Sequence, residues 1–318
     1  MVTTIDGPPA EQDSVGPIAT LRSSASPLDD KTELRRALIG EFAAAANAAR
    51  DAAVKADSEP RSAVHDFRKA LRRARAIVTL IADELPKSER RAIRRALQQA
   101  RRALGIARDH AVVPATLEQL ALREIERATA NAIVAAAAAA APTPSEVKQL
   151  LAEGAARAQA QLEALEAALP PDVRWMSVMS GVRATYRAAR RARRAGKRDA
   201  AQFHAWRRRS KDLTYQLEIL TRIVGEGAAD AHHACETATD AQGPAVDLIM
   251  VRDFIRAHAQ TLVPEDVDSL LEAVDAQVRN RVRDARDVGK SAFQRKSRKF
   301  TRRLEKAIRK AEENRTWE

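Results

Sequence analysis

Apolar residues recur along this chain at spacings of three and four, and no stretch alternates apolar with polar residues in the manner of a strand. The pattern predicts an all-α fold. The expected helices cover 29–57 with Asp29 as N-cap, 61–84 ended by Pro86, and 87–104 stopped by Gly105. A helix over 109–140 would start at Asp109 and tolerate Pro114 or kink there. Helices follow over 145–169, 172–197 and 199–224, the last closed by Gly225 and Gly227, then over 228–241 and 245–260. Pro244 stands near a first helical position, and Pro264 opens the final section. Residues 1–27, with Pro8, Pro9, Pro17 and Pro27 among Gly, Ser and Thr, read as a disordered tail, and 311–318 as a C-terminal tail.

Within that pattern one stretch has a second meaning. On a helix over 64–75, VHDFRKALRRAR, the residues Arg61, His65, Arg68, Arg72 and Arg75 fall within an arc of about 80°. Val64, Phe67, Leu71, Ala74 and Val78 fill the adjoining sector, so the cationic edge borders the core seam instead of facing away from it. The arrangement recurs in FHAWRRRSKDLTYQLEIL, where His204, Arg207 and Lys211 repeat the spacing 139 residues on. Gly105-x-x-x-Asp109 and Gly243-x-x-x-Asp247 are likewise separated by 138 residues. Two landmarks in register predict an internal duplication, with a first repeat over 28–142, a second over 143–310, and Pro142 and Pro144 at the join.

Composition adds little to the fold but much to the chemistry. Aromatic residues make up only 3% of 318, so Ala and Leu carry the packing. The net charge is +12, but residues 61–108, 183–211 and 279–310 carry +10, +11 and +11, which leaves −20 for the rest. Segregating like charges on helices costs stability and implies an anionic partner. Of the basic residues 43 are Arg and 12 Lys, and guanidinium grips phosphate through two parallel N–H bonds. Codon bias in a GC-rich genome explains much of the ratio and none of the clustering. Arg183, Arg187, Arg190 and Arg194 form another stripe within about 60°, and Arg90, Arg94 and Arg101 share a face of their helix.

Several chemistries are disfavoured. Cys235 is the only cysteine, which rules out an intrachain disulfide; His232-His233-x-Cys235 puts adjacent imidazoles about 100° apart and is a poor metal site. Gly289-Lys290-Ser291 lacks the earlier glycine of a phosphate loop. Asp109 and Asp247 suit caps or arginine partners better than catalytic acids. The opening residues carry no apolar signal segment, and no apolar run of 18 residues exists; 135–141 is too short and reads as a small-residue packing helix. A cytoplasmic protein with no membrane contact is expected.

The paired elements His65-x-x-Arg68 and His204-x-x-Arg207, Leu104-Gly105-x-x-Arg108-Asp109, Gly243-x-x-x-Asp247, Tyr186-Arg187 and the 293–300 segment together resemble the CHAD family, the conserved histidine α-helical domain. The likeness covers about 29–310. It implies two pseudo-symmetric helical bundles facing each other across a basic cavity that binds inorganic polyphosphate without hydrolysis. Carried onto this chain, the polyphosphate-binding set is His65, Arg68, Arg72, Arg75, Arg94, Arg101, Arg108, Arg183, Arg187, Arg190, His204, Arg207, Arg208, Lys211, Lys296 and Lys299, with no cofactor and no catalytic residue. Ser210 and Pro244 depart from the family pattern around the second motif. The E-x-E-x-K strand of the CYTH triphosphatase that accompanies many relatives has only Glu124-Ile125-Glu126-Arg127 to match it here. Polyphosphate granules are the expected partner and location.

Three rivals remain: a nucleic-acid binder, for which the sequence offers no helix-turn-helix or stacking platform; a phosphohydrolase using either histidine as nucleophile; and a structural helical scaffold whose basic edge is incidental. Competition by DNA, release of orthophosphate, and indifference to loss of Arg68 and Arg207 would reveal each in turn.

Overall fold

The computed structural model describes residues 28–195 and 200–315; the expected N-terminal tail lies outside them. Thirteen α-helices and two short 3-10 turns, with no strand, make up the described chain. In order they are α1 (Lys31–Val54), α2 (Pro60–Leu80), α3 (Lys87–Ala103), α4 (Gly105–Glu118), α5 (Glu124–Ala138), α6 (Pro144–Ala168), α7 (Trp175–Ala195), α8 (Ala200–Val224), α9 (Ala229–Ala241), α10 (Gly243–His258), α11 (Pro264–Val288), α12 (Lys290–Phe293) and α13 (Ser297–Arg315).

Local chemistry explains most boundaries. Asp30, not Asp29, caps α1, its carboxylate accepting from the amides of Thr32 and Glu33 at 2.9 and 3.0 Å. Thr143 and Glu146 form a capping box on α6, and α8 ends at Gly225, whose φ of 75° only glycine adopts without strain. Three expectations differ. Gly105 opens α4 instead of closing α3, and Asp109 lies inside α4 and caps nothing. The long helix expected over 109–140 is two, α4 and α5; Pro114 is accommodated, and the break falls where Arg127 of α5 donates to the carbonyls of Leu117 and Leu120 at 2.7 and 2.5 Å. The last helix extends to Arg315, past the boundary expected at 310.

α1 packs against both α2 and α6, and its alanines Ala45, Ala46, Ala49 and Ala52 are buried, as are Ala155 and Ala158 of α6. Small faces let backbones approach, as the composition requires. Leu34, Leu38 and Phe42 from α1 and Phe67 and Leu71 from α2 are fully buried, each worth about 1.5–3 kcal/mol. α7 lies on α8 and crosses the end of α2 so closely that a Cβ on Gly181 would stand 1.9 Å from the Leu80 carbonyl oxygen.

Arginine fastens many helix ends. Besides Arg127, Arg35 donates to the Glu166 and Leu169 carbonyls at the end of α6 (2.8 and 3.3 Å). Arg90 reaches Ala82 just past α2 (2.6 Å), and Arg193 reaches Arg286 near the end of α11 (2.9 Å). Each places a cation on the negative end of a helix dipole.

Candidate functional site

The two histidine helices, α2 and α8, pack against each other. Arg73 grips Glu218 at 2.5 Å, Glu218 also binds Arg222 at 3.0 Å, and Arg222 binds Glu41 of α1 at 2.7 Å. This half-buried chain fixes the register of three helices. Fully buried Gln216 adds a bond from its amide to the Ala76 carbonyl at 3.3 Å. Nearby α4 meets α10, where Arg108 pairs with Asp247 at 3.3 Å and His110 meets Phe254 edge to face.

The basic edge of α2 therefore faces cations from other elements. Arg72 lies close enough to His65, Arg68, Arg75, Arg101, Arg207 and Lys211 to act on each electrostatically, and Arg108 acts on His65, Arg68, Arg101, His204 and Arg207. Arg94 joins through Arg75. Burial first, then neighbouring cations, pulls the Arg101 guanidinium down to about 10. Arg75 and Arg94 are also lowered, chiefly by burial, against an upward pull from Asp212. Arginine does not lose its proton at neutral pH; these shifts express the cost of crowding charge with too little counter-charge. Among the described residues the side chains of Arg72, Arg75, Arg94 and Arg101 form no hydrogen bond or ion pair, and the Nε atoms of the last three are buried without a partner.

Arg68 and Arg207 behave differently. Arg68, 8% exposed, donates through Nη1 to the carbonyls of Arg101 (2.9 Å) and Leu104 (3.4 Å), fastening the end of α3 beside Gly105. Arg207 donates to the Thr239 carbonyl at 2.6 Å, near the end of α9 and beside Gly243. The His-x-x-Arg and Gly-x-x-x-Asp landmarks are thus coupled: in both places the arginine of the first docks on the helix junction that carries the second. Arg68 is held down to about 9 by burial and by Arg108, Arg101 and Arg72.

Neither His65 nor His204 makes a hydrogen bond among the described residues, so neither is a core histidine satisfied by a backbone carbonyl. Both are held below the ordinary imidazole value, by burial first. Asp66 opposes this at His65 while Lys69, Arg72 and Arg108 reinforce it. At His204 Asp253 opposes it while Arg208, Arg108 and Arg252 reinforce it. Both rings are neutral at pH 7. Lys211 pairs with Asp240 at 3.4 Å on the rim.

The remaining sequence candidates are not among the charges that act on these residues. Lys296 and Lys299 line an open pocket of about 460 Å3 with Gln294 and Arg295. Arg190 is near Arg295 at the Tyr186 hydroxyl, while Arg183 and Arg187 continue its stripe along α7. A further pocket of about 420 Å3 opens at Thr32, Arg35, Arg36, Ile39 and Glu166. Sequence reasoning left Arg209, Asp212, Gln294 and Arg295 out of the binding set; for Arg209 the run Arg207-Arg208-Arg209 was the available signal.

Cys235 is buried and its thiol is pushed up to about 12 by that burial. Among the described residues no group of three His, Cys, Asp or Glu is placed to hold a metal, and no helix is long and apolar enough to cross a membrane.

This architecture has known counterparts. The chain is similar to the crystal structure of the CHAD domain from the plant Ricinus communis, with a TM-score of 0.62 and 20% identity over 82% of this chain and 91% of that one. It is also similar to PptA from Streptomyces chartreusis, with a TM-score of 0.56 and 18% identity over 82% of this chain and 99% of the other. No curated protein matches the sequence. The sequence profile of the CHAD domain matches residues 37–256, which hold α2, α8 and their docked junctions, and the chain belongs to the CHAD family.

Proposed function

We propose that this chain is a non-enzymatic receptor for inorganic polyphosphate, bound along the seam of α2, α3, α4 and α8. The observation that carries the reading is the set Arg72, Arg75, Arg94 and Arg101, four crowded guanidinium groups with no hydrogen bond or ion pair among the described residues. Cations held at such a cost call for an anion of high charge density, and a chain of phosphates supplies one every few ångströms. Arg108, His65, His204, Arg208 and Lys211 would complete the lining, with Arg68 and Arg207 fixing the helix junctions behind it. In the cell this would bring the protein to polyphosphate granules.

Titration calorimetry with long-chain polyphosphate at two salt concentrations, with double-stranded DNA as competitor, tests the reading. The informative variant is Arg72→Ala/Arg101→Ala, because it removes unpaired cations and leaves the docked arginines in place. Binding that falls steeply with salt, resists DNA and collapses in the variant is expected. Equal affinity for DNA would make the seam a general polyanion surface, and release of orthophosphate would make it an enzyme.

A further inference from the structure

The cations of the seam divide by their counter-charge. Arg72 and Arg75 of α2 and Arg94 and Arg101 of α3 have no ion pair among the described residues; Asp212 of α8 bears on Arg75 and Arg94, but pairs with Arg209 at 3.5 Å. Along the border formed by α4, α9 and α10 the cations come already paired. Arg108 stands between two aspartates, 3.7 Å from Asp109 of its own helix and 3.3 Å from Asp247 of α10. Lys211 of α8 has Asp240 of α9 at 3.4 Å. Arg252 of α10, which acts on His204, has Asp253 at 3.1 Å and Asp275 at 3.6 Å.

Asp109 and Asp247 are the acids of the two Gly-x-x-x-Asp landmarks, and neither caps its helix. Both serve the docked arginines as partial counter-charge instead: Asp109 bears on Arg68, and Asp247 and Asp240 bear on Arg207. They are also the outer groups. The side chains of Asp240, Asp109 and Asp247 are 66, 42 and 34% exposed, against 22% for Lys211 and 28% for Arg108, so an approaching polyanion meets carboxylate first.

That order discriminates between polyanions. Duplex DNA is stiff over about 50 nm and lies across exposed groups, where these aspartates cancel the attraction of Lys211 and Arg108. A single phosphate chain bends, and so reaches the half-buried arginines of α2 and α3. We propose that Asp109, Asp240 and Asp247 are specificity-determining residues of the seam, which cancel its outer cations in advance so that a thin, flexible phosphate chain is held and duplex nucleic acid is turned away. The inference deepens the polyphosphate reading and rests on it. Specificity is a difference of two affinities, and repelling the wrong partner widens it even where the right one is held a little less tightly.

Duplex DNA and long-chain polyphosphate, titrated separately into the full-length protein over a series of salt concentrations, test this in the parent, in Asp240→Asn and in Asp109→Asn/Asp240→Asn/Asp247→Asn. Each cation freed should tighten DNA binding on the order of tenfold near 0.1 M salt and steepen the logarithmic salt slope by about one, while polyphosphate binding tightens by less than about threefold. Equal gains for DNA and polyphosphate, or DNA affinity and salt slope unchanged, overturn the proposal. The Asp240–Lys211 pair faces solvent and adds little to stability, so if the triple variant loses its helical circular dichroism the single variant decides by the same two criteria. The seam reading fails on a different result, an Arg72→Ala/Arg101→Ala variant that binds polyphosphate as tightly as the parent.

Discussion

Replacing a binding arginine should make the empty protein more stable. Arg101→Met keeps length and packing while removing a cation that the fold holds at a cost. A guanidinium at about 10 instead of 12.5 corresponds to about 3 kcal/mol of differential interaction, reduced by ionic screening at this partly exposed site to about 1 kcal/mol. Its Nε, buried without a partner, is part of that same desolvation cost. The folded value lies below the unfolded one and both lie well above pH 7, so the whole penalty is present at neutrality and is relieved only as pH rises through 10. Scanning calorimetry without ligand should therefore show Tm rising by about 2–4 °C in Arg101→Met. The same variant should show a smaller rise than the parent on adding polyphosphate, because ligand linkage weakens with affinity. A lower Tm without ligand would mean that Arg101 is paired and that the seam is not under electrostatic stress.

Other consequences are more local. Arg68→Lys and Arg207→Lys should each lower stability by about 1–2 kcal/mol in urea titrations, because an ammonium cannot keep the guanidinium's geometry on the carbonyls of α3 and α9. Polyphosphate affinity should strengthen as pH falls from 7.5 to 5.5, since His65 and His204 start neutral and gain a proton beside the anion, and His65→Ala/His204→Ala should flatten that profile. Without ligand the sign reverses: imidazoles lowered by folding favour the unfolded state once pH drops below about 6.5, so Tm should fall there. Gly181→Ala should destabilise by about 3 kcal/mol or more, because its methyl group meets the Leu80 backbone and no side chain can yield; chemical denaturation checks this.

The helix pattern was legible because amphipathic spacing is a local property. The break between α4 and α5 was not, since 119–123 contains no Gly or Pro; its only cue was Glu126, three residues after the N-cap Arg123, where its carboxylate accepts from the Arg123 amide at 2.8 Å. The site divides the same way. Spacing placed His65, Arg68, Arg72 and Arg75 on one edge of α2, and Arg72 of that edge does face Arg207 and Lys211 of α8. Periodicity could not say which arginines were already occupied, because the carbonyls that hold Arg68 lie on α3 and those that hold Arg207 lie on α9. Space explains neither landmark glycine: a Cβ on Gly105 would meet nothing, and one on Gly243 would make ordinary contact with Arg207.

The arginines docked on helix ends set limits on how this sequence can drift. Lysine still serves an anion as a point charge, so Lys-for-Arg exchange along the open seam would weaken the grip by degrees and leave the fold alone. At Arg35, Arg68, Arg127 and Arg207 the same exchange unfastens one helix from the next. Descendants in AT-rich genomes, where lysine codons are favoured, should therefore keep arginine at these four positions while losing it from the groove, and a survey of such chains would sort fasteners from binders without a single binding assay.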